Sequence, residues 1–378
     1  MPTPRARSRK SEPGPDTVIA GHATPSGTIR LTRRFSAGHS PDFYRMLPDE
    51  ILVSSLGMGT YLGDCTDAED ARYVTVLAAG LGRGLNLIDT AINYRCQRSE
   101  RAAGRAIRRA VDIGIARRDE IVISTKGGYI PLEGEPPASR ELYERYLASE
   151  YFERGVMTAD DVVSGGHSIA PGFIADQIRR SLHNLGLESI DIYYLHNPEQ
   201  QRSVRKPEHF RAALLRAFME LETQVAAGTI QSYGCATWNG FRVNPESAGH
   251  LNLEEIVGTA REAGGSSHHF RIVQLPINLA MTEGIRLATQ SLSGKRVPLL
   301  HAAAELGVAV IGSASLMQAQ LTQGLPAELA AAFPSLDTDA QRAIAFVRSL
   351  PVSAALVGMR SLDHLSENLG AVTEVIPA

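Results

Sequence analysis

Eight short apolar runs, each followed by a helical stretch, limit what this chain can fold into more than any other feature. The runs are ILVSSLG (51–57), NLID (86–89), EIVISTK (120–126), SIDIYYLH (189–196), TIQSYGC (229–235), FRIVQL (270–275), VAVIG (308–312) and SAALVG (353–358). Nearly continuous apolar runs of this length are what parallel strands buried on both faces require. Between them lie amphipathic stretches with helix punctuation. One begins at Asp67 and ends in glycines. SERAAGRAIRRAV is expected to be capped by Ser99 and has an arginine-rich last turn that suits the helix dipole, and residues 207–227 are closed by Gly228. Eight such units predict an α/β fold, a closed (β/α)8 TIM barrel. The rival, an open doubly wound sheet, lacks support because no strand is followed by G-x-G-x-x-G opening a helix.

Domain organisation follows from what is left over. Residues 1–16, with Arg5, Arg7, Arg9 and Lys10, read as a disordered basic tail. TVIAGHATPSGTIRLTRRF (17–35) alternates β-favouring residues about Pro25, Ser26 and Gly27, which predicts a β-hairpin plugging the barrel bottom. Residues 17–378 are expected to form a single barrel domain. Its long interruption, 129–170, follows the third strand and is expected over the active-site face, which a barrel builds at the C-terminal ends of its strands. ELYERYLASEYFERG within it reads as a helix.

Net charge is −3, so nothing draws the chain as a whole to nucleic acid or to a membrane surface. Three cysteines, Cys65, Cys96 and Cys235, are odd in number and lack metal-ligand spacing, which fits reduced thiols and a cytoplasmic setting. No apolar run is of transmembrane length, and no signal-peptide stretch follows the basic residues.

Four polar residues stand at or just past strand ends: Asp89 and Tyr94 in GLNLIDTAINYRCQRSE (84–100), Lys126 in STKGG and His196 in YYLHNPE. A free phenol titrates near ~10, too high for efficient proton transfer at neutral pH. A nearby ammonium favours the phenolate and lowers that value. A carboxylate fixes the lysine, and an imidazole can orient a carbonyl oxygen. Together they suit delivery of a proton to an oxygen that gains negative charge, as carbonyl reduction by hydride requires. No nucleophile with an adjacent base is evident. His268, His269 and His301 lack partners at ligand spacing, so no metal is expected.

These motifs resemble the aldo-keto reductase superfamily over roughly residues 17–376. The matching stretches are LGMGTYLGD, GLNLIDTAINY…RSERAAGRAI, ISTKGG, SLHNLGLESIDIYYLHNPE, GTIQSYGCATWNG, VQLPINL and VGMRSLDHLSENL. The resemblance implies that Tyr94 is the general acid, Lys126 lowers its pKa, Asp89 pairs with Lys126 and His196 orients the carbonyl. It implies NADPH, in preference to NADH, bound across the barrel mouth without a Rossmann domain, and a small carbonyl substrate. The first motif places cofactor contacts at Gly59, Thr60 and Tyr61, beside Asp89. Gln274 matches the carboxamide-binding glutamine and Leu316 the pyrophosphate loop in SASLMQAQL. Gly358, Arg360, His364, Glu367 and Asn368 match the adenosine-phosphate and adenine region.

The chain departs from the family pattern at five residues in four places. Ala236-Thr237 stand where Ser-Asn is usual, Ser313 where an aromatic often stacks on the nicotinamide, Ser315 where a proline is usual, and His364 where arginine or glutamine is common. Thr237 still offers one hydrogen bond, but without the two-sided geometry of an amide. Tyr61 and Trp238 are candidate substrate contacts, Trp238 alternatively packing under the insertion. His167, with Tyr143, Tyr146 and Tyr151, either contacts substrate or packs at the surface. Cys96 is either a reactive thiol at the mouth or an inert loop residue. The functional alternatives are reduction of an imine or enone with the same cofactor, and a low-turnover NADPH-binding regulatory subunit. Assembly is expected as a monomer or homo-oligomer.

Overall fold

A computed structural model describes residues 17–373; the tail expected over residues 1–16 lies outside the described residues. Eight parallel strands close into a barrel: β1 (Leu56–Gly59), β2 (Leu87–Asp89), β3 (Val122–Gly127), β4 (Ile190–His196), β5 (Ile230–Ala236), β6 (Phe270–Pro276), β7 (Ala309–Ser313) and β8 (Ala354–Gly358). Each strand pairs with the next in sequence, and β8 closes on β1 through Ala355–Leu56 to Gly358–Gly59. The expected fold is therefore the observed one.

The period-2 alternation of a strand sorts side chains between the barrel interior and the surrounding helices. Leu87, Val122, Ile192, Ile272, Ile311 and Ala354 meet inside the barrel as a small apolar plug. Ile88, Ile123, Tyr193, Val273 and Val310 turn outward into the larger core under the helices. Two residues further along β2 and four along β3 and β4, the inward positions are Asp89, Lys126 and His196. The register sets Asp89 beside Ser124, Lys126 beside Tyr194, and His196 beside Ala236, which in turn pairs with Gln274. The interior is thus apolar below and polar above.

The bottom is closed by elements placed differently from the expectation. Residues 25–35 do not form a hairpin; Pro25–Phe35 is a helix. Thr24 caps it, its side chain accepting the Gly27 N–H at 3.0 Å, and Pro25 sits at the first helical position, where its missing N–H costs nothing. Thr28 and Leu31 are fully buried; a leucine so placed contributes about 1.5–3 kcal/mol. Gly27 is needed because a Cβ there would lie 2.0 Å from the Asp119 carbonyl oxygen. A hairpin does cap the barrel, but it pairs Tyr44–Met46 with Leu52–Ser54, and Leu47 and Val53 enter the interior plug. The run 51–57 is therefore divided between that hairpin and β1. A second correction concerns Ser99: the helix Arg98–Asp112 starts earlier, from Gln97 in a left-handed conformation. Ser99 Oγ instead donates to the Thr60 carbonyl at 2.7 Å.

In the insertion, the helix Arg140–Leu147 runs on into a wide π turn over Ala148–Phe152. It is fastened to the flanking helix Pro171–Leu185. Tyr151 packs edge-on against Phe173, with centroids 5.4 Å apart, and Arg180 bonds both Glu150 (2.8 Å) and Asp176 (2.6 Å).

Candidate active site

Tyr94 is delivered by a strained loop. Arg95, Cys96 and Gln97 all have left-handed backbones, with φ of 49°, 52° and 68°. For non-glycine residues this costs on the order of 1–3 kcal/mol each and persists only where neighbours enforce it. Arg95 is held by the Asp64 carbonyl at 2.9 Å and Asp70 at 2.6 Å, and Gln97 by the Leu132 carbonyl and Glu133. The loop is thus tied to the segment after β1 on one side and to the insertion on the other. The Tyr94 ring lies edge-on to Tyr61 (5.0 Å) and His196 (5.8 Å).

Beneath it, Lys126 is 1% exposed. Its Nζ lies 2.5 Å from Asp89 Oδ2, 2.8 Å from the Thr90 carbonyl and 4.9 Å from the centroid of the Tyr94 ring. Asp89 Oδ1 accepts from Ser124 Oγ and from Gln274 Nε2, each at 2.8 Å. Burial pulls the Lys126 pKa below its ordinary value, with Asp89 pulling the other way. The Tyr94 phenol is pushed well above its ordinary value, by burial first and by the Asp89 charge next. The net shift is upward, whereas the expectation concerned the lowering influence of Lys126 alone. The amine sits under the ring with Asp89 as its close partner, so desolvation of the phenol prevails.

His196 ends β4. Its carbonyl accepts from His167 Nε2 at 2.7 Å, and Gln201 Nε2 donates to His167 Nδ1 at 3.0 Å, which fixes the tautomer of His167. Tyr129 stands edge-on between the two imidazoles, 5.0 Å from His196 and 5.1 Å from His167. Burial, then the charge of Lys126, then His167, hold the His196 pKa well below its ordinary value, so the ring is neutral. Gly128 permits this packing: its φ is +147°, and a Cβ would lie 2.8 Å from the His196 carbonyl oxygen.

These residues open onto a cavity of about 760 Å³ at the C-terminal end of the barrel, within the size range of cofactor and ligand sites. Asp89, Tyr94 and His196 line it, with Lys126 behind them. So do Gly59, Thr60, Tyr61, Thr237, Gln274, Ser313, Leu316, Gly358, Arg360, His364, Glu367 and Asn368. Trp238 lines it too and is 44% exposed, so it does not pack under the insertion. His167 does not line it. It is 1% exposed and lies a layer behind, because its ring is used on His196 and Gln201. Of the insertion, only Tyr129 reaches the cavity wall. Cys96 is buried away from it, and burial pushes its thiol up to about 11, which makes it a poor nucleophile.

Three contributors carried no sequence signal strong enough to single them out. Asn93 and Asn197 line the cavity. Glu199, in the YYLHNPE motif, accepts through Oε1 from the backbone N–H groups of Trp238 (2.7 Å) and Asn239 (3.0 Å), and so holds the loop after β5. Its place within the His196 motif was the one available signal. The loop after β7 is unusual: Met317, Gln318 and Ala319 are all left-handed, with φ of 47°, 53° and 70°. Such turns form concave nests that present backbone N–H groups to anions, and Gln318 and Ala319 line the cavity.

A dinucleotide fits these residues on structural grounds. Thr237 Oγ1 and Asn93 Oδ1 are buried polar atoms without a hydrogen-bond partner, and both residues line the cavity. A buried polar atom left unpaired costs free energy that a bound polar group can recover. Among the described residues, no group of three or more His, Cys, Asp or Glu is placed to hold a metal, and no helix is long and apolar enough to cross a membrane.

A barrel of this topology with a Tyr–Lys–Asp–His cluster at its mouth defines a class, and comparison with known proteins agrees. Residues 55–244 match the model of the aldo/keto reductase family, and the chain belongs to that family. A D-threo-aldose 1-dehydrogenase from a Pseudomonas species is 30% identical over 186 residues, covering 49% of this chain and 50% of the relative, which is thus matched over about half its length. Among solved structures, an aldo/keto reductase from Klebsiella pneumoniae in complex with NADP and acetate superposes with a TM-score of 0.59 at 21% identity, over 89% of this chain and 91% of that one. An aldo-keto reductase from Bacillus halodurans does so with a TM-score of 0.54 at 18% identity, over 87% and 90%. These structural likenesses show the fold.

Proposed function

We propose that the protein is an NADPH-dependent oxidoreductase that reduces an aldehyde or ketone to the alcohol, or oxidises a sugar-like alcohol in reverse, with Tyr94 as proton donor. The observation that carries this is the meeting of Tyr94 and His196 over the buried Lys126–Asp89 pair at the mouth of one large cavity. Gln274 and Thr237 would hold the carboxamide end of the cofactor, the loop at Leu316 its pyrophosphate, and Arg360, Glu367 and Asn368 the adenosine end. When bound, NADPH supplies hydride to the carbonyl carbon.

The chain's own residues manage the oxygen. His196, kept neutral by burial, can donate a hydrogen bond to it without taking up charge. As negative charge grows there, Tyr94 Oη passes its proton to the oxygen and is left as phenolate. Lys126, under the ring, offsets that charge, and Asp89 holds Lys126 in place. In the reverse direction the phenolate takes the alcohol proton. Trp238 and Tyr61, exposed on the rim, are the apolar surfaces a substrate would meet first.

A second reading, a low-turnover NADPH-binding subunit, is favoured by Ser313, which gives the cavity wall no stacking face. Fluorescence titration with NADPH, followed by stopped-flow oxidation against carbonyl, imine and enone panels, separates the two. Rapid oxidation with a carbonyl supports the enzyme; tight binding without oxidation supports the subunit.

A further inference from the structure

Arg360, placed above at the adenosine end of the cofactor, is the cation of the cavity wall that the 2′-phosphate of NADPH would meet, and its guanidinium is already engaged. Its Nε lies 2.5 Å from Glu69 Oε1 and its Nη2 lies 2.8 Å from Glu69 Oε2, a two-pronged ion pair. Such fork-to-carboxylate pairs are among the strongest and most directional polar contacts. The two partners are unequally placed. The Glu69 side chain is 4% exposed, whereas that of Arg360 is 37% exposed and lines the cavity. Glu69 is anchored in the first turn of the helix Asp67–Leu81, its N–H donating to the Thr66 cap, and Arg72 approaches its Oε2 at 3.3 Å. Contact with Arg360 is the largest influence on its carboxyl, which is held below its ordinary value. Among the described residues lining the cavity, Arg360 is the only arginine or lysine.

A phosphate arriving at this wall meets a neutralised pair, not a free cation. It must either displace Glu69 from the guanidinium or bind beside a buried negative charge. A coenzyme without the 2′-phosphate meets neither cost. We propose that Glu69 is a coenzyme-specificity-determining residue, which narrows the advantage of NADPH over NADH by holding Arg360 in this pair. The proposal rests on the reading that the cavity binds a nicotinamide dinucleotide with its 2′-phosphate at Arg360.

The test is fluorescence titration of the full chain with NADPH and with NADH, so that binding is read without turnover. Glu69→Gln keeps the side-chain volume and removes the charge. The NADPH Kd is expected to fall about 5- to 20-fold, since relief of like-charge juxtaposition is worth that much or more, while the NADH Kd stays within about twofold. Glu69→Ala, which removes the whole carboxylate-bearing side chain, must move NADPH in the same direction. An NADPH Kd that is unchanged or weaker in both variants overturns the proposal. Arg360→Ala checks the reading beneath it and should bring the NADPH Kd up towards the NADH value. If Arg360→Ala leaves NADPH binding unchanged, the placement of the phosphate is wrong, and the role of Glu69 falls with it.

Discussion

Lys126 Nζ sits 2.5 Å from Asp89 Oδ2 and 4.9 Å from the centre of the Tyr94 ring, so one buried amine joins the carboxylate at the end of β2 to the phenol five residues later. The pair is nearly sealed from water, at 1% and 6% side-chain exposure. Removing one member of such a pair leaves an uncompensated buried charge, which costs about 3–5 kcal/mol. Asp89→Ala should therefore lower the free energy of unfolding in urea by that amount. Asp89→Leu combined with Lys126→Met should lose markedly less. A single variant within about 1 kcal/mol of the parent would mean the pair does not hold the site together.

The histidines behind the site should make the fold acid-sensitive. His167 is buried, and burial lowers its pKa from 6.5 to about 4. The unfolded chain therefore takes up a proton as pH falls below 6.5 while the folded chain resists until about 4. Stability is lost through that window and is flat above it. At about 1.36 kcal/mol per pKa unit, His167 alone should cost about 2 kcal/mol between pH 7 and pH 5, with His196, also lowered, adding to it. Urea unfolding at the two pH values measures the loss. His167→Gln should be less steep by about 2 kcal/mol, and an unchanged slope would count against the assignment.

Glu199 should matter for substrate more than for chemistry. Its Oε1 gathers the backbone N–H groups that shape the loop bearing Thr237 and Trp238. Each buried donor left unpaired costs about 1–3 kcal/mol. Glu199→Ala is expected to raise KM for the carbonyl about tenfold or more through the loosened rim, with a smaller fall in kcat. Steady-state kinetics decide it: a fall in kcat at constant KM would place Glu199 in the chemical step instead.

Much of this was legible in the sequence because the signals were periodic. The apolar runs place seven of the eight strands to within a residue or two, and the inward alternation of Asp89, Lys126 and His196 follows from strand geometry. The run at 51–57 misled because both the bottom hairpin and β1 are apolar, and only one residue, Ser55, separates them. Residues 25–35 misled because TIRLTRR has β-favouring composition, although Thr24-Pro25 is a helix start. Long-range side-chain pairing was invisible. Nothing in the spacing showed that His167, 29 residues from His196, would bond its carbonyl, or that Glu69 would cross 291 residues to hold Arg360.

The central claim is that Tyr94 gives up the proton. Tyr94→Phe keeps the ring against Tyr61, His196 and Lys126 and removes only the hydroxyl. Single-turnover oxidation of bound NADPH by a carbonyl substrate, with NADPH affinity measured on the same preparation, tests it most directly. The variant is expected to bind NADPH within about twofold of the parent and to oxidise it about 10²- to 10⁴-fold more slowly, the range for loss of a general acid. Oxidation at the parental rate would contradict the account.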